Sequence, residues 1–389
     1  SGLSGIHMAM VSLSTGRQTP FDLIGAYPLG VVDGQLVYVT EVGAMMIAPF
    51  DVAAKRVTGP PQQVLTGLMT GSSGTAQTAA LSANGTLAYV VGSAGSMLVL
   101  SDLQGHFTTV EPGVRDYGYP RYSPDGKRIA YSVTSGGRTD VWIYDLASRT
   151  PTRVTTAGLV NERPEWTPDG THVMFRSDEG TVRSNIWWAP ADLSAPPSHL
   201  FGTPRTYLFE AVMTPDAKRL IYQVDTMGAD VWYRSLTGDT TPKPIATTKA
   251  IENMARVSPD GHWVAYSTDE SGPYQVVVQP FPGPGPRVQV SVTGGTEPVW
   301  SPDGHRLFYR GNRKMMVADL STTNGLAVTS RTALFDDAFE PAPAPHANYD
   351  VAPDGKHLLM LKSNNTPQLM MVYHWGEELR TRLTAPQLH

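Results

Sequence analysis

Short apolar runs recur along the chain, each opened by a polar turn and most ending in an aromatic residue. Leu36-Val37-Tyr38, Leu87-Ala88-Tyr89, Ile129-Ala130-Tyr131, Val173-Met174-Phe175, Leu220-Ile221-Tyr222, Val264-Ala265-Tyr266 and Leu307-Phe308-Tyr309 share this form. Runs this short, bounded by Gly, Pro, Asn and Asp, predict strands and not helices. Around the third run the unit reads completely. Pro120-Arg121-Tyr122 leads into the turn Ser123-Pro124-Asp125-Gly126, and Arg128–Ser132 follows it. Asp140–Asp145 is a third strand and Thr152–Thr155 a fourth. Proline presets φ in such a turn and glycine accepts the positive φ that ends it.

The turn recurs as Thr167-Pro168-Asp169-Gly170, Thr214-Pro215-Asp216-Ala217, Ser258-Pro259-Asp260-Gly261, Ser301-Pro302-Asp303-Gly304 and Ala352-Pro353-Asp354-Gly355. Asp33-Gly34 and Asn84-Gly85 are weaker copies that lack the proline. Successive turn residues are separated by 51, 41, 44, 47, 44, 43 and 51 positions. Such spacing in an all-β chain predicts a β-propeller of four-stranded antiparallel blades. Eight turns predict eight blades, or seven if the first copy is a cap. The last repeat lacks a fourth strand. Met10–Leu13 and Arg17–Pro20 are expected to supply it and close the ring, which removes two open edges. A short amphipathic helix is expected over Gly376–Leu383. Ser1–Met8 reads as a cloning scar, so residues 9–389 are expected to form one propeller domain ending in that helix. The strand aromatics are expected to fill the widening gaps between blades.

Composition narrows the partners. Charged residues are only 17%, the net charge is −5, and no basic block exists, so nucleic acid is an unsuitable partner. No apolar run approaches the roughly 18 residues of a spanning helix, so no membrane insertion is expected. Cysteine is absent, which excludes disulfides and thiolate chemistry.

The Ser-Pro-Asp-Gly turns, the strands ending in Tyr, and Asp140-Val141-Trp142-Ile143-Tyr144-Asp145-Leu146 resemble TolB-type propeller repeats. Gly34–Tyr38 with Met46–Asp51, and Trp375-Gly376-Glu377-Glu378-Leu379, are similar to propeller regions attached to bacterial serine/threonine kinases of the acidobacterial type. That resemblance implies an extracytoplasmic sensing or interaction module, periplasmic or beyond, and carries no catalytic set. The chain itself has no kinase motif, no Gly-x-Ser-x-Gly elbow and no His-Glu-x-x-His helix.

Candidate chemistry lies just upstream of the turns, where the innermost strand of each blade faces the axis. Asn161, Glu162, Glu210, Glu252, Asn253 and Glu297 offer oxygens suited to a divalent ion such as calcium. His346 is a candidate base. Tyr27, Gln77, Tyr119, Arg163 and Asn348 complete a set of candidate ligand contacts. Two functions fit: a module binding a protein, peptide or small molecule at the channel mouth, or a metal-dependent hydrolase of esters, lactones or phosphotriesters. The turn aspartates are expected to be structural. The Pro-rich connection Pro341–Pro345 and the loop Gly283–Pro286 are candidate lids.

Overall fold

Each turn read from the sequence joins two antiparallel strands in the computed structural model, which describes residues 7–24, 27–40, 43–68, 79–82, 85–91, 95–135, 137–179, 184–202, 207–225, 229–322, 325–342, 346–364 and 368–384. The chain divides into two units. One comprises residues 1–94 and 364–389, the other residues 95–363.

Among the described residues, the larger unit holds six four-stranded antiparallel sheets, one for each turn from Asp125 to Asp354. Their innermost strands are Asp116–Tyr122, Asn161–Trp166, Leu208–Met213, Glu252–Val257, Thr296–Trp300 and Tyr349–Val351. Each contacts the next, and the last contacts the first. The run aromatics Tyr131, Phe175, Tyr222, Tyr266 and Tyr309 are buried in clusters that each span two successive sheets. Burying one such side chain is worth about 1.5–3 kcal/mol, so the aromatics hold sheet to sheet as expected.

The turns also meet. The ring of Pro124 lies against Gly170, Pro215 against Gly261, Pro259 against Gly304, Pro302 against Gly355, and Pro353 against Gly126. Five of the six sheets thus receive a neighbour's proline at their turn glycine. The sixth turn carries Ala217 where the others carry glycine, and it too has positive φ, 56°.

The expected ring of eight blades, closed by the N-terminal strand, is corrected at both ends. The strand His7–Val11 pairs with Gln18–Ile24 in a two-stranded sheet. It begins inside the segment set aside as a scar, and Met8 is buried there. The sheet of the last turn takes its third strand from Ser96–Asp102, paired in register with His357–Ser363. Gln368–Val372, the strand expected in that place, pairs instead with Leu87–Val91. Seven cross-strand pairs form in the first case and five in the second. Both candidate third strands are aliphatic, so pattern alone does not distinguish them. Only the first inserts fully buried Leu98 and Val99 between sheets.

The smaller unit contains the two weak turns. Tyr27–Val32, Gln35–Val39 and Met45–Asp51 form a sheet extended by Arg56–Val57 and Gln62–Leu65. Ala79–Leu81, Leu87–Val91 and Gln368–Val372 form a three-stranded sheet. The expected helix runs from Trp375 to Thr384. It buries Trp375 and Leu379 in the core with Val37, Ile47, Leu87 and Tyr89. The Trp375 amide donates to the Gly85 carbonyl (2.9 Å), and Arg380 pairs with Asp33 (2.9 Å), so the helix holds both weak turns.

Candidate functional site

Counted back from the Ser, Thr or Ala that opens each turn, two positions carry the axial chemistry of the larger unit. Four residues before it stand Tyr119, Arg163, Glu210, Met254, Glu297 and Asn348. Two residues before it stand Arg121, Glu165, Val212, Arg256, Val299 and Asp350. Register breaks interrupt five of the innermost strands next to the first set. Tyr119, Arg163, Met254 and Glu297 each adopt φ of +57° there. Left-handed φ in such residues is strained, and at a bulge it re-aims the side chain and frees backbone groups from the ladder.

Those freed groups are taken up by the neighbouring sheet. Asn348 Oδ1 accepts the Tyr119 amide (2.8 Å). Arg163 stacks toward the Tyr119 ring and donates to the Phe209 carbonyl (2.7 Å). Glu210 Oε1 accepts the Ala255 amide (3.2 Å), and Met254 Sδ the Glu297 amide (3.2 Å). Glu297 Oε2 accepts the Asn348 amide (2.7 Å). One side chain per sheet therefore engages the next sheet, and the relay closes on itself.

At its centre lies His346, with 0% of its surface exposed. Nδ1 lies 2.6 Å from Glu210 Oε2, and Nε2 lies 2.8 Å from Arg121 Nη2 and 3.4 Å from Arg256 Nη2. Guanidinium groups only donate, so Nε2 must accept and Nδ1–H must donate to Glu210. Burial, then Arg121, Arg256 and Arg163, hold the imidazole well below its ordinary pKa. Burial pushes Glu210 up to about 7 against the pull of Arg256. Glu165 Oε1 accepts from Arg121 Nε and Arg256 Nη2, both at 2.8 Å. Burial raises Asp350 to about 6 although Arg121 opposes it; Asp350 accepts the Tyr122 amide (2.8 Å).

The connection that brings His346 here is itself tied down. Arg310 pairs with Glu297 (3.2 Å) and Asp337, and donates to the Glu340 carbonyl (3.0 Å). Glu297 Oε1 also accepts the Ala342 amide (3.1 Å). Pro343–Pro345 lie outside the described residues; Ala342 on one side and His346 on the other contact the axial groups. The other lid candidate goes elsewhere. Gly283–Pro286 leaves its strand opposite Trp263, at the end that carries the Asp260 turn. With Tyr233, Pro244, Ile245 and Gln279, Gly283–Gly285 line a surface cleft there.

The other expected site residues separate. Glu162 pairs with Arg176 and lies 3.3 Å from Arg163. Burial raises the pKa of Glu252, whose carboxylate turns back to Thr248. Asn161 joins Ser177 (2.7 Å) and the Ala157 carbonyl (2.8 Å). Asn253 is buried, and its Oδ1 has no partner among the described residues. Tyr27 packs against the core of the smaller unit, and Gln77 lies outside the described residues. Among the described residues, no three His, Asp or Glu side chains converge as a metal-holding group. The oxygens proposed for a divalent ion are spread over Arg, Thr, His and amide partners. Five turn aspartates accept from the Ser or Thr two positions earlier, at 2.6 Å for Asp125, Asp169 and Asp216, and Asp354 accepts the Lys356 amide (2.8 Å), the structural role expected of them.

Glu165, Asp350, Arg310 and Asp337 escaped sequence reasoning. The first two share the offset of Arg121 and Arg256 from the turn, and that alternation was the available signal. Arg310 and Asp337 had none, because their strands and loops meet the axis only in three dimensions. Beside Arg310, Tyr274, Asn312, Arg313, Phe339 and Pro341 line an open cleft of about 400 Å³.

Residues 28–197 match the TolB β-propeller domain family. A Tol-Pal system protein TolB of Francisella tularensis subsp. holarctica is 30% identical over 160 residues, 39% of this chain and 36% of that protein. TolB of Alcanivorax borkumensis is 36% identical over 78 residues, 20% of this chain and 18% of that protein. Another, from Francisella tularensis subsp. mediasiatica, is 29% identical over 227 residues, 45% of this chain and 51% of its own length. The matched region therefore spans about half or less of these curated relatives. A solved structure described as TolB from Agrobacterium tumefaciens superposes on 70% of this chain and 99% of its own. Its TM-score is 0.54 and its identity 17%, a likeness of fold. The recurring turns, the antiparallel sheets and these matches together show that the chain carries a TolB-like β-propeller.

Proposed function

We propose that the chain is a protein-binding propeller module acting outside the cytoplasm, as a sensor or interaction domain. The observation that carries this reading is the internal saturation of the axis. His346, Glu210, Glu165, Arg121 and Arg256 are buried and engaged with one another, so the axis is a rigid hub and the loops around it are the surface left to a partner. The relatives named Tol-Pal system protein TolB, and the resemblance to kinase-attached propellers, support the same class. The cleft beside Arg310 is the surface best suited to an extended protein segment, because Tyr274 offers an aromatic anchor beside the cation Arg313.

Selection of displayed peptides on the immobilised chain, followed by calorimetric titration of the enriched sequence, tests this. Tyr274→Ala is expected to weaken binding at least tenfold. Peptides that bind Tyr274→Ala and Arg313→Ala as well as wild type would move the site elsewhere. A screen of chromogenic carboxyl, phosphate-triester and sulfate esters tests the hydrolase alternative. Turnover lost on adding chelator and in Glu162→Gln would replace binding with metal-dependent hydrolysis.

A further inference from the structure

Third strands in this fold normally carry a fourth. In the larger unit Arg138–Asp145, Asn185–Pro190, Ala229–Ser235, Gln275–Pro280, Lys314–Ser321 and Ser96–Asp102 each have one outside them. In the smaller unit Met45–Asp51 pairs outward with two further short strands. Gln368–Val372 is the exception: it is bonded to Leu87–Val91 on one side and to no strand among the described residues on the other. Leu369 is 67% exposed, Met371 51% and Tyr373 68%, with Met370 at 38%.

Two outer strands of the larger unit guard their edges with proline and charge. Thr150–Arg153 carries Pro151 and Arg153, and Lys243–Ala246 carries Lys243 and Pro244. Gln-Leu-Met-Met-Val over 368–372 has neither, so its free backbone groups are a template for another strand. We propose that this edge pairs with the same edge of a second copy of the chain, in a two-fold antiparallel dimer that joins two three-stranded sheets into one of six.

The sequence is self-complementary for that arrangement. A two-fold axis at Met370 sets Leu369 opposite Met371, Gln368 opposite Val372 and Met370 opposite itself, with no like charges facing. A foreign strand would complete only one edge, whereas this pairing completes both. The contact is short and lies at or below the roughly 1,200 Å² limit of stable interfaces. The dimer is therefore expected to form in the micromolar range.

Two experiments on the full chain decide it. Sedimentation velocity across a concentration series should show a monomer–dimer equilibrium. Leu369→Lys with Met371→Lys should abolish it without changing the melting temperature, while Val292→Lys, on an exposed site of the larger unit, leaves it intact. Because the chain has no cysteine, Met370→Cys should oxidise to a covalent dimer, and Val52→Cys should not. A chain that stays monomeric at every concentration overturns the proposal. A dimer that survives the double lysine variant, or cross-links equally through Val52→Cys, overturns it as well.

Discussion

The two units use the same strand-turn-strand grammar to different ends. In the larger unit most turns keep the proline ahead of Asp-Gly, and that proline lies on the glycine of the following sheet's turn. In the smaller unit neither turn has the proline, and a helix holds them through Trp375 and Arg380. The proline thus acts beyond its own backbone: it makes the local turn a unit of lateral contact. Where it is missing, the repeat needs help from elsewhere in the chain. The edges differ too: Thr150–Arg153 and Lys243–Ala246 in the larger unit carry proline and charge, and Gln368–Val372 carries neither.

Buried charge should give the largest contrast. Glu165→Leu strands Arg121 and Arg256 without their shared carboxylate, and losing one partner of a buried ion pair typically costs about 3–5 kcal/mol. Chemical denaturation should show that loss, whereas Arg380→Ala in the smaller unit breaks an exposed pair and should move stability by less than about 1 kcal/mol. Equal effects would mean that the axial network carries no special weight.

The turns come next. Gly126 has φ of +69°, and a Cβ there would lie 2.8 Å from Pro353. Gly34 has φ of +72° with nothing within 4 Å. Gly126→Ala should therefore combine backbone strain with a clash, about 2–4 kcal/mol, against about 1–2 kcal/mol of strain alone for Gly34→Ala. Matching losses in thermal melts would show that contact between turns contributes nothing.

The pH dependence sharpens the picture of the axis. Burial raises Asp350 from 3.8 to about 6, so the fold favours its neutral form. Its contribution to stability is complete below about pH 4 and is lost as pH rises through about 6. Relative to Asp350→Asn, wild type should lose about 1–3 kcal/mol between pH 4 and 7. A difference that stays flat over this interval would place Asp350 in contact with water. His346 works in the opposite sense. Its depressed pKa gives stability that is present above the ordinary imidazole range and fades as pH falls, so His346→Gln should flatten the acid side of the profile.

The smallest effect concerns packing between sheets. Trp166 Nε1 donates to the Arg121 carbonyl at 3.2 Å, and Trp300 Nε1 to the Arg256 carbonyl at 3.1 Å. Trp300→Phe keeps most of the apolar contact and loses the hydrogen bond, which should cost about 1 kcal/mol.

What the sequence alone determined is local. Turn chemistry at Pro-Asp-Gly, strands ending in Tyr or Phe, and the short helix at Trp375 all follow from φ preferences and apolar periodicity, which act within a few residues. Much of the axial set was legible for the same reason: Tyr119, Arg163, Glu210, Glu297 and Asn348 stand at one fixed distance from the turn. Tertiary structure alone decided which third strand pairs with which second strand. Ser96–Asp102 and Gln368–Val372 both satisfy the pattern, and only seven paired residues with buried Leu98 and Val99 favour one over the other. It also decided what the axial side chains do. A bulge at Tyr119, Arg163, Met254 and Glu297 turns each side chain from its own strand toward the next sheet. His346 becomes the centre of the hub because Glu210 and Arg121, far apart in sequence, hold its two ring nitrogens. Such charges find their partners only when closure of the sheets removes water, and no local pattern encodes that event.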